Sequence, residues 1–407
     1  MTSITKDWQI NMAADIGNGF TKVAIDQQRM KLQPSIIAYA NQVPHAPTQD
    51  DHTVLANLAN DLEISVQSPG ALAADDTHYL VGKAAYNCTN SISFNIGANA
   101  DKAHEDLTLI MTLSMITLNI LQRYLTRKHL PSQINVTVDY LTTALPIVEA
   151  MNEQHLEWLK QRYANNTHMV TVYNFAEPIT LRIKFNHVSV ISEGVIGNLG
   201  LAIDPHNLKP RPASFYKAGL ENRNHTKNFN GQTLLQDVEN IVGIDIGDGT
   251  VDISVVGQGF TPMPRLNVFI DEGIGTLINN ILAQLRQQSI RINNRQMFLQ
   301  MMSQDNARGK FLRTKLSHEL IVIERPILER LKSIYTSLNN NVGLIYFHGA
   351  GATALHHEDF NNRLHNLIQT MDPWEATNIL WLDAQFSQWL NLEGLEVQLR
   401  QQINANK

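Results

Sequence analysis

At 407 residues the chain exceeds one typical hydrophobic core, so two domains or lobes are the default expectation. With 43% hydrophobic and 17% charged residues it is not a chain disordered as a whole. Thirty-two Lys plus Arg against 38 Asp plus Glu give a formal net charge of -6, which argues against direct wrapping by nucleic acid, and the single cysteine excludes a disulfide framework.

The opening M-T-S-I-T-K-D-W-Q-I-N-M has neither the basic start nor the continuous apolar stretch of a signal peptide, so a reducing, cytoplasmic setting is expected. Residues 9–14 read as a strand, 21–26 alternate as a second strand, and 30–38 read as a third. Residues 41–70 are polar and hold Pro44, Pro47 and Pro69, which suggests loops and short strands; residues 78–82 suggest another strand. An apolar helix is expected over about 103–128. Within it residues 107–125 carry Thr108, Thr112, Ser114, Thr117, Asn119, Gln122 and Arg123, too polar for a membrane span, so a buried core helix is expected and no membrane association.

Pro131 closes that helix. Residues 134–145 are β-rich and end at Pro146; a helix is expected at about 149–164, strands at 170–175, 179–185 and 188–191, and a helix from 193 to 201. Residues 204–236 hold Pro205, Pro210, Pro212 and a polar run, and read as a linker, a surface insertion or a partner-binding loop. Strands are then expected at 241–246, 251–256 and 264–270, helices at 274–288, 291–305 and 315–338, and a short buried strand at 342–347. The last 30 or so residues look helical, with Trp374, Trp381, Phe386, Trp389 and Leu392 on an apolar face.

Two short motifs repeat across this layout. D-I-G-N-G-F-T-K runs from Asp15 to Lys22, and D-I-G-D-G-T-V-D from Asp245 to Asp252. Their glycines open backbone angles closed to other residues, which lets main-chain N–H groups approach a phosphate while an aspartate faces a metal ion. Either motif alone is also an ordinary glycine hairpin; the same frame in two equivalent strand contexts points to a duplicated unit. A third glycine turn, F-H-G-A-G-A-T, ends the strand at 342–347 and could let the backbone lie against an adenine or ribose.

In the order Asp turn, Asp turn, glycine turn, the chain resembles the actin, sugar kinase and heat-shock ATPase superfamily, and within it the bacterial actin-like plasmid-segregation proteins of the ParM/StbA type. The resemblance implies an α/β, two-lobed actin-like ATPase fold, each lobe a five-stranded mixed β-sheet flanked by helices, with smaller inserted subdomains. It implies a first lobe over 1–203 with an insertion at about 41–130, a linker or insertion at 204–238, and a second lobe over 239–375 with an insertion at about 272–340. A C-terminal helix in 376–407 is then expected to pack back on the first lobe.

ATP, with GTP as the alternative, and Mg²⁺ are the implied cofactors. Asp15 and Asp245 correspond to the metal-facing aspartates, acting through bound water, and Glu193 to the residue that orients the attacking water. The implied nucleotide contacts are Gly17, Asn18, Gly19, Phe20, Thr21 and Lys22; Gly247, Asp248, Gly249 and Thr250; and Gly349, Ala350 and Gly351; Gly273, in D-E-G-I-G-T from Asp271 to Thr276, could start a helix facing the nucleotide or stand in a plain capped turn. Ala350 stands where the family usually has glycine. The implied activity is ATP hydrolysis coupled to a dynamic filament that segregates plasmid DNA. Its implied partners are further copies of the chain and a DNA-binding adaptor at a plasmid centromere-like site. A small-molecule kinase or another actin-like cytoskeletal filament shares this site and is the alternative.

Overall fold

The computed structural model describes residues 6–40, 50–73, 77–96, 101–127, 129–221 and 229–406. Pro44, Pro47 and most of the polar run in the 204–236 segment lie outside the described residues. The strands are β1 (Lys6–Ile16), β2 (Phe20–Ile25), β3 (Ile36–Tyr39), β4 (Glu63–Gln67), β5 (Thr77–Val81), β6 (Ser91–Ser93), β7 (Gln133–Leu145), β8 (His168–Val172) and β9 (Ile179–Ser192) in the first part of the chain. They continue with β10 (Leu220–Glu221), β11 (Asn240–Ile246), β12 (Val251–Gly257), β13 (Val268–Ile270), β14 (Leu344–His348) and β15 (Asn378–Trp381). The longer helices are α1 (Asp51–Asp61), α2 (Asp106–Gln122), α3 (Glu153–Ala164), α4 (Glu193–Ala202), α5 (Ile274–Gln287), α6 (Arg295–Met302), α7 (Ala307–Glu319), α8 (Ile321–Ser337), α9 (Glu358–Met371) and α10 (Leu390–Ala405).

Two mixed sheets organise these elements, one of 11 strands and one of seven. Both carry the same plan. In the first, β2 pairs antiparallel with β1, which runs parallel to β7, which runs parallel to β9. In the second, β12 pairs antiparallel with β11, which runs parallel to β14, which runs parallel to β15. With Gln28–Arg29 on β2 and β13 on β12, each plan is a five-stranded core. The first sheet exceeds five because β8, β4, β5, β3 and β6 continue it beyond β9. The repeated motifs occupy equivalent hairpins, Asp15 opposite Lys22 and Asp245 opposite Asp252.

The parallel strands are buried on both faces, which fits their near-continuous apolar runs. One core packs Met12, Ile64, Val136 and Leu181 with the apolar side of α2; the other packs Ile244, Ile253, Leu277, Ile327 and Phe347. Within α2 all residues from Leu107 to Leu118 are buried, and Thr112 and Ser114 satisfy their hydroxyls on carbonyls one turn back. It is a core helix, and among the described residues no helix is long and apolar enough to cross a membrane.

Several expectations need correction. The 41–70 stretch holds a helix, α1, where loops and short strands were expected: its prolines flank the helix instead of interrupting it, Asp50 caps Thr53 N at 3.1 Å, and Val54, Leu55 and Leu58 are buried together. Strands expected at 179–185 and 188–191 are one 14-residue strand. The 204–236 segment is partly built into the second lobe. There β10 pairs with β15, and Phe215, Tyr216, Phe229 and Leu234 share a core with Leu344 and Tyr346. The last 30 residues are not helical throughout. N-I-L-W is a strand, Trp381 stacks on Phe347 at 4.0 Å between ring centres, and Trp374 is 83% exposed, because a short apolar run does not by itself distinguish strand from helix. Helix α9 is not anticipated by the sequence. At the end of the chain α10 lies against α4, β1 and β7.

Candidate functional site

The C-terminal ends of the parallel strands converge on one cleft, the usual place for a ligand in an open α/β sheet. Its volume is about 290 Å³, and its lining includes Asp15, Gly17, Asn18, Gly19, Phe20 and Lys22 from the first turn, and Asp245, Gly247, Asp248, Gly249, Thr250 and Asp252 from the second. Glu193, at the join of β9 and α4, and the turn after β14 complete it with His348, Gly349, Ala350 and Gly351.

The two Asp turns face each other closely. A Cβ on Gly19 would lie 3.3 Å from Asp248 Oδ1, and one on Gly249 would lie 2.3 Å from Asn18 Nδ2. Behind the first turn Ser35 acts as a clamp: its N–H donates to Gly19 O at 3.0 Å and its hydroxyl to Gly17 O at 2.6 Å. Behind the second, Ile274 N donates to Gly247 O at 3.0 Å and Gly275 N to Asp248 O at 2.7 Å. The third turn depends on glycine directly. Gly349 has φ +91, and a Cβ there would lie 2.3 Å from Asp245 Oδ1.

Two of the expected contacts sit outside the cleft wall. Thr21 is fully buried beneath the first turn, its hydroxyl 2.9 Å from that of Ser35, because strand alternation turns it away from Lys22's face. Gly273 backs the second turn, where a Cβ would meet Asp248 O at 2.7 Å. All the other expected site residues line the cleft.

The electrostatics of the two turns differ although their geometry repeats. Lys22 Nζ lies 2.5 Å from Asp15 Oδ2, so the first hairpin carries an internal ion pair. The equivalent position in the second hairpin is Asp252, opposite Asp245. Burial, reinforced by the neighbouring charges of Glu193 and Asp245, pushes Asp252 well above the usual aspartate range; Oδ1 is buried without a hydrogen bond. Burial likewise raises Glu193, against the lowering effect of Lys102, with Asp15 and Asp245 adding to the rise. Asp248 is raised by burial despite the opposing charge of Arg295, 3.2 Å away.

Lys102 is a cleft residue the sequence did not single out. Its Nζ lies 3.1 Å from Glu193 Oε1, and its own backbone N–H donates to Glu149 at 3.0 Å. Burial pulls its pKa down, but Glu193, Asp15 and Glu149 outweigh that and hold the ammonium above its ordinary value. Asn391, donating to Asp245 Oδ2 at 2.7 Å, was also missed. Neither sits in a glycine motif. Lys102 precedes a helix, Asn391 is inside one, and only the tertiary fold brings them to the aspartates.

Among the described lining residues, five carboxylates (Asp15, Glu193, Asp245, Asp248, Asp252) face two lysines, Lys22 and Lys102. A polyphosphate would be repelled from such a cleft unless a cation entered with it. Five converging carboxylates, with Asp252 Oδ1 buried and without a hydrogen bond, supply the oxygen donors a hard divalent cation prefers, so these residues fit Mg²⁺.

Residues 13–195 match the family described as the N-terminal domain of actin-like proteins. No curated protein matches the chain in sequence. Among solved structures, the actin-like protein Alp7A is similar over 98% of both chains, at 16% identity and a TM-score of 0.68. The archaeal actin homologue Ta0583 in complex with ADP is similar over 97% of this chain and 99% of its own, at 13% identity and a TM-score of 0.58. A 15-stranded ParM filament from Clostridium botulinum is similar over 98% of this chain and 100% of its own, at 16% identity and a TM-score of 0.57. Two mixed sheets flanked by helices, matched over nearly the full length of these proteins, make this the actin-like fold.

Proposed function

We propose that this chain, an actin-like protein in its fold, is an ATPase that assembles into filaments with further copies of itself on binding ATP and Mg²⁺, and disassembles after hydrolysis. The observation that carries the reading is the meeting of two equivalent Asp turns in one cleft, with Glu193 between them and a glycine-dependent turn alongside. That a similar structure holds ADP and another is a filament supports the same reading.

In this mechanism the backbone of Gly17–Gly19 and Gly247–Gly249 binds the phosphates, Lys22 adds positive charge, and Gly349, Ala350 and Gly351 pass beneath the nucleoside. Asp15 and Asp245 would hold Mg²⁺ through water, and the ion supplies neutralisation of the phosphate charge when bound. Glu193, kept largely out of solvent, accepts a hydrogen bond from the attacking water and orients it for in-line attack. Asn391 fixes the Asp245 carboxylate for its task. The filament's cargo is plasmid DNA, reached through a basic, DNA-binding adaptor, because a chain of net charge -6 is a poor direct ligand for DNA.

Light scattering of tens of micromolar protein should rise on adding ATP with Mg²⁺ and fall as phosphate is released. Asp245→Asn should abolish both signals while leaving the far-ultraviolet circular dichroism of the fold intact. A wild-type protein that stays monomeric with ATP refutes the filament; transfer of phosphate to a small molecule in place of water would assign a kinase.

A further inference from the structure

Outside the cleft, the described residues contain one grouping of His, Cys, Asp and Glu side chains with metal-ligand spacing: Asp101, His104 and His155, whose ligand atoms lie within 4.8 Å of one another. We infer that these three residues form a binding site for a transition-series divalent cation of the zinc class, which fastens the segment carrying Lys102 to helix α3.

The chemistry of the set is selective. Two imidazoles and one carboxylate suit zinc and its neighbours and are poor ligands for Mg²⁺, which prefers oxygen alone. The site is therefore distinct in kind from the cleft, whose candidate cation ligands are carboxylates. Asp101 Oδ1 and His104 Nδ1 are already 2.7 Å apart, so two of the three ligands are held together before an ion enters. His155 meets the His104 ring edge-on, 5.3 Å between centres, and its Nδ1 is buried with no hydrogen-bond partner. A buried imidazole nitrogen with nothing to bond is costly unless a ligand takes it. Tetrahedral zinc holds its ligand atoms about 3.4 Å apart, so the Asp101–His104 pair opens slightly while the remaining separations, none above 4.8 Å, close by side-chain rotation. His104 and Asp101 remain 43% and 46% exposed as side chains, which leaves an entry path and a position for water.

The location gives the site its consequence. Asp101 precedes Lys102, whose ammonium reaches Glu193, and Glu149 accepts hydrogen bonds from the N–H groups of Lys102 and Ala103. His155 lies in the first turn of α3, and Arg162 of the same helix donates to Ala103 O at 2.8 Å. A metal ion joining Asp101 and His104 to His155 therefore adds a cross-link to a segment that already aims a lysine into the cleft.

The test uses the full chain without an affinity tag and without nucleotide, so it stands apart from hydrolysis and filament formation. Zn²⁺ titrated by calorimetry in excess Mg²⁺ should bind at one equivalent per chain, and Co²⁺ at the same site should show the visible absorption of a low-coordinate ion. His155→Ala and His104→Ala should each weaken binding at least about tenfold, the scale lost even with an outer ligand partner. His318→Ala, an exposed histidine elsewhere, should not change it. His104 also stacks on Trp158, so Co²⁺ should quench tryptophan fluorescence, and Trp158→Phe should remove most of the quench. Absence of stoichiometric Zn²⁺ binding, or binding that survives both histidine substitutions, overturns the inference.

Discussion

A methyl group at position 349 would meet Asp245 Oδ1 at 2.3 Å in a backbone conformation, φ +91, that side-chained residues rarely adopt. Gly349→Ala should therefore cost about 1–3 kcal/mol of stability, read as a lowered thermal midpoint, and weaken nucleotide binding by displacing the aspartate. Glu193 is a different case, because glutamine keeps its size and its carboxylate has a partner in Lys102. Glu193→Gln should lower phosphate release by about 10²–10⁴-fold in single-turnover measurements while nucleotide affinity changes little, since a positioning group acts on the transition state. Asp252 gives a pH prediction. Its pKa is raised in the fold by burial and by Glu193 and Asp245, so folding favours the protonated form. The stability it contributes is complete below the ordinary aspartate pKa and is lost as pH rises through the raised folded value. Without nucleotide or metal, Asp252→Asn should melt above the wild type at neutral pH, with the difference shrinking under acid; a constant gap across that range would rule out the titration.

At the scale of elements, α10 is held to the first hairpin and to the 204–236 segment by charge as well as by packing. Arg29 sits 2.8 Å from Glu393 and 2.9 Å from Glu396, and Glu393 also pairs with the buried Arg211. Burial pulls Arg29 down, but the two glutamates more than offset it and hold it above its ordinary value. Arg29→Ala would leave Glu396 buried without that partner, and with Arg29's side chain 27% exposed the expected cost is about 1–3 kcal/mol, below that of breaking a fully buried pair. Chemical denaturation reads it, and an unchanged midpoint would mean the helix is held by its apolar face and the Arg211–Glu393 pair without help from Arg29. None of these pairs is visible in sequence, since Arg29 and Glu396 stand 367 residues apart. What was visible is local. The strands flanking the Asp turns and the helix at Glu193 announce themselves by alternation and by an acidic helix start. Helix α1 was hidden by its flanking prolines, and β15 by a four-residue apolar run that also fits a helix.

For the molecule as a whole, the duplicated sequence motif foretold a duplicated architecture, and the two sheets repeat one strand plan around the matched hairpins. The closing contact between the lobes was not legible, because it joins residues with no motif of their own. Asn294, the N-cap of α6, accepts from Met297 N at 2.8 Å and donates through Nδ2 to Tyr86 O at 2.8 Å, while the adjacent Arg295 reaches Ser93 Oγ and Phe94 O at 3.4 Å. Ser93 ends β6 in the extension of the first sheet, Phe94 follows it and Tyr86 lies between β5 and β6, while α6 belongs to the second lobe, with Leu299 lining the cleft. Arg295 beside it also pairs with Asp248 of the cleft at 3.2 Å, so this clasp is tied to the nucleotide cleft and its strength should set how readily nucleotide escapes. Asn294→Asp separates clasp from cap: aspartate caps a helix as well as asparagine does, but its carboxylate cannot donate to Tyr86 O. Loss of one such hydrogen bond is worth about 0.5–1.5 kcal/mol, so release of a fluorescent ADP analogue in stopped flow should quicken by roughly 2- to 12-fold. The thermal midpoint should fall only by the cost of that one bond, because the helix keeps its cap. If release is unchanged, the lobes are held together there by Arg295 and by packing, and the same measurement on Arg295→Lys would then carry the acceleration.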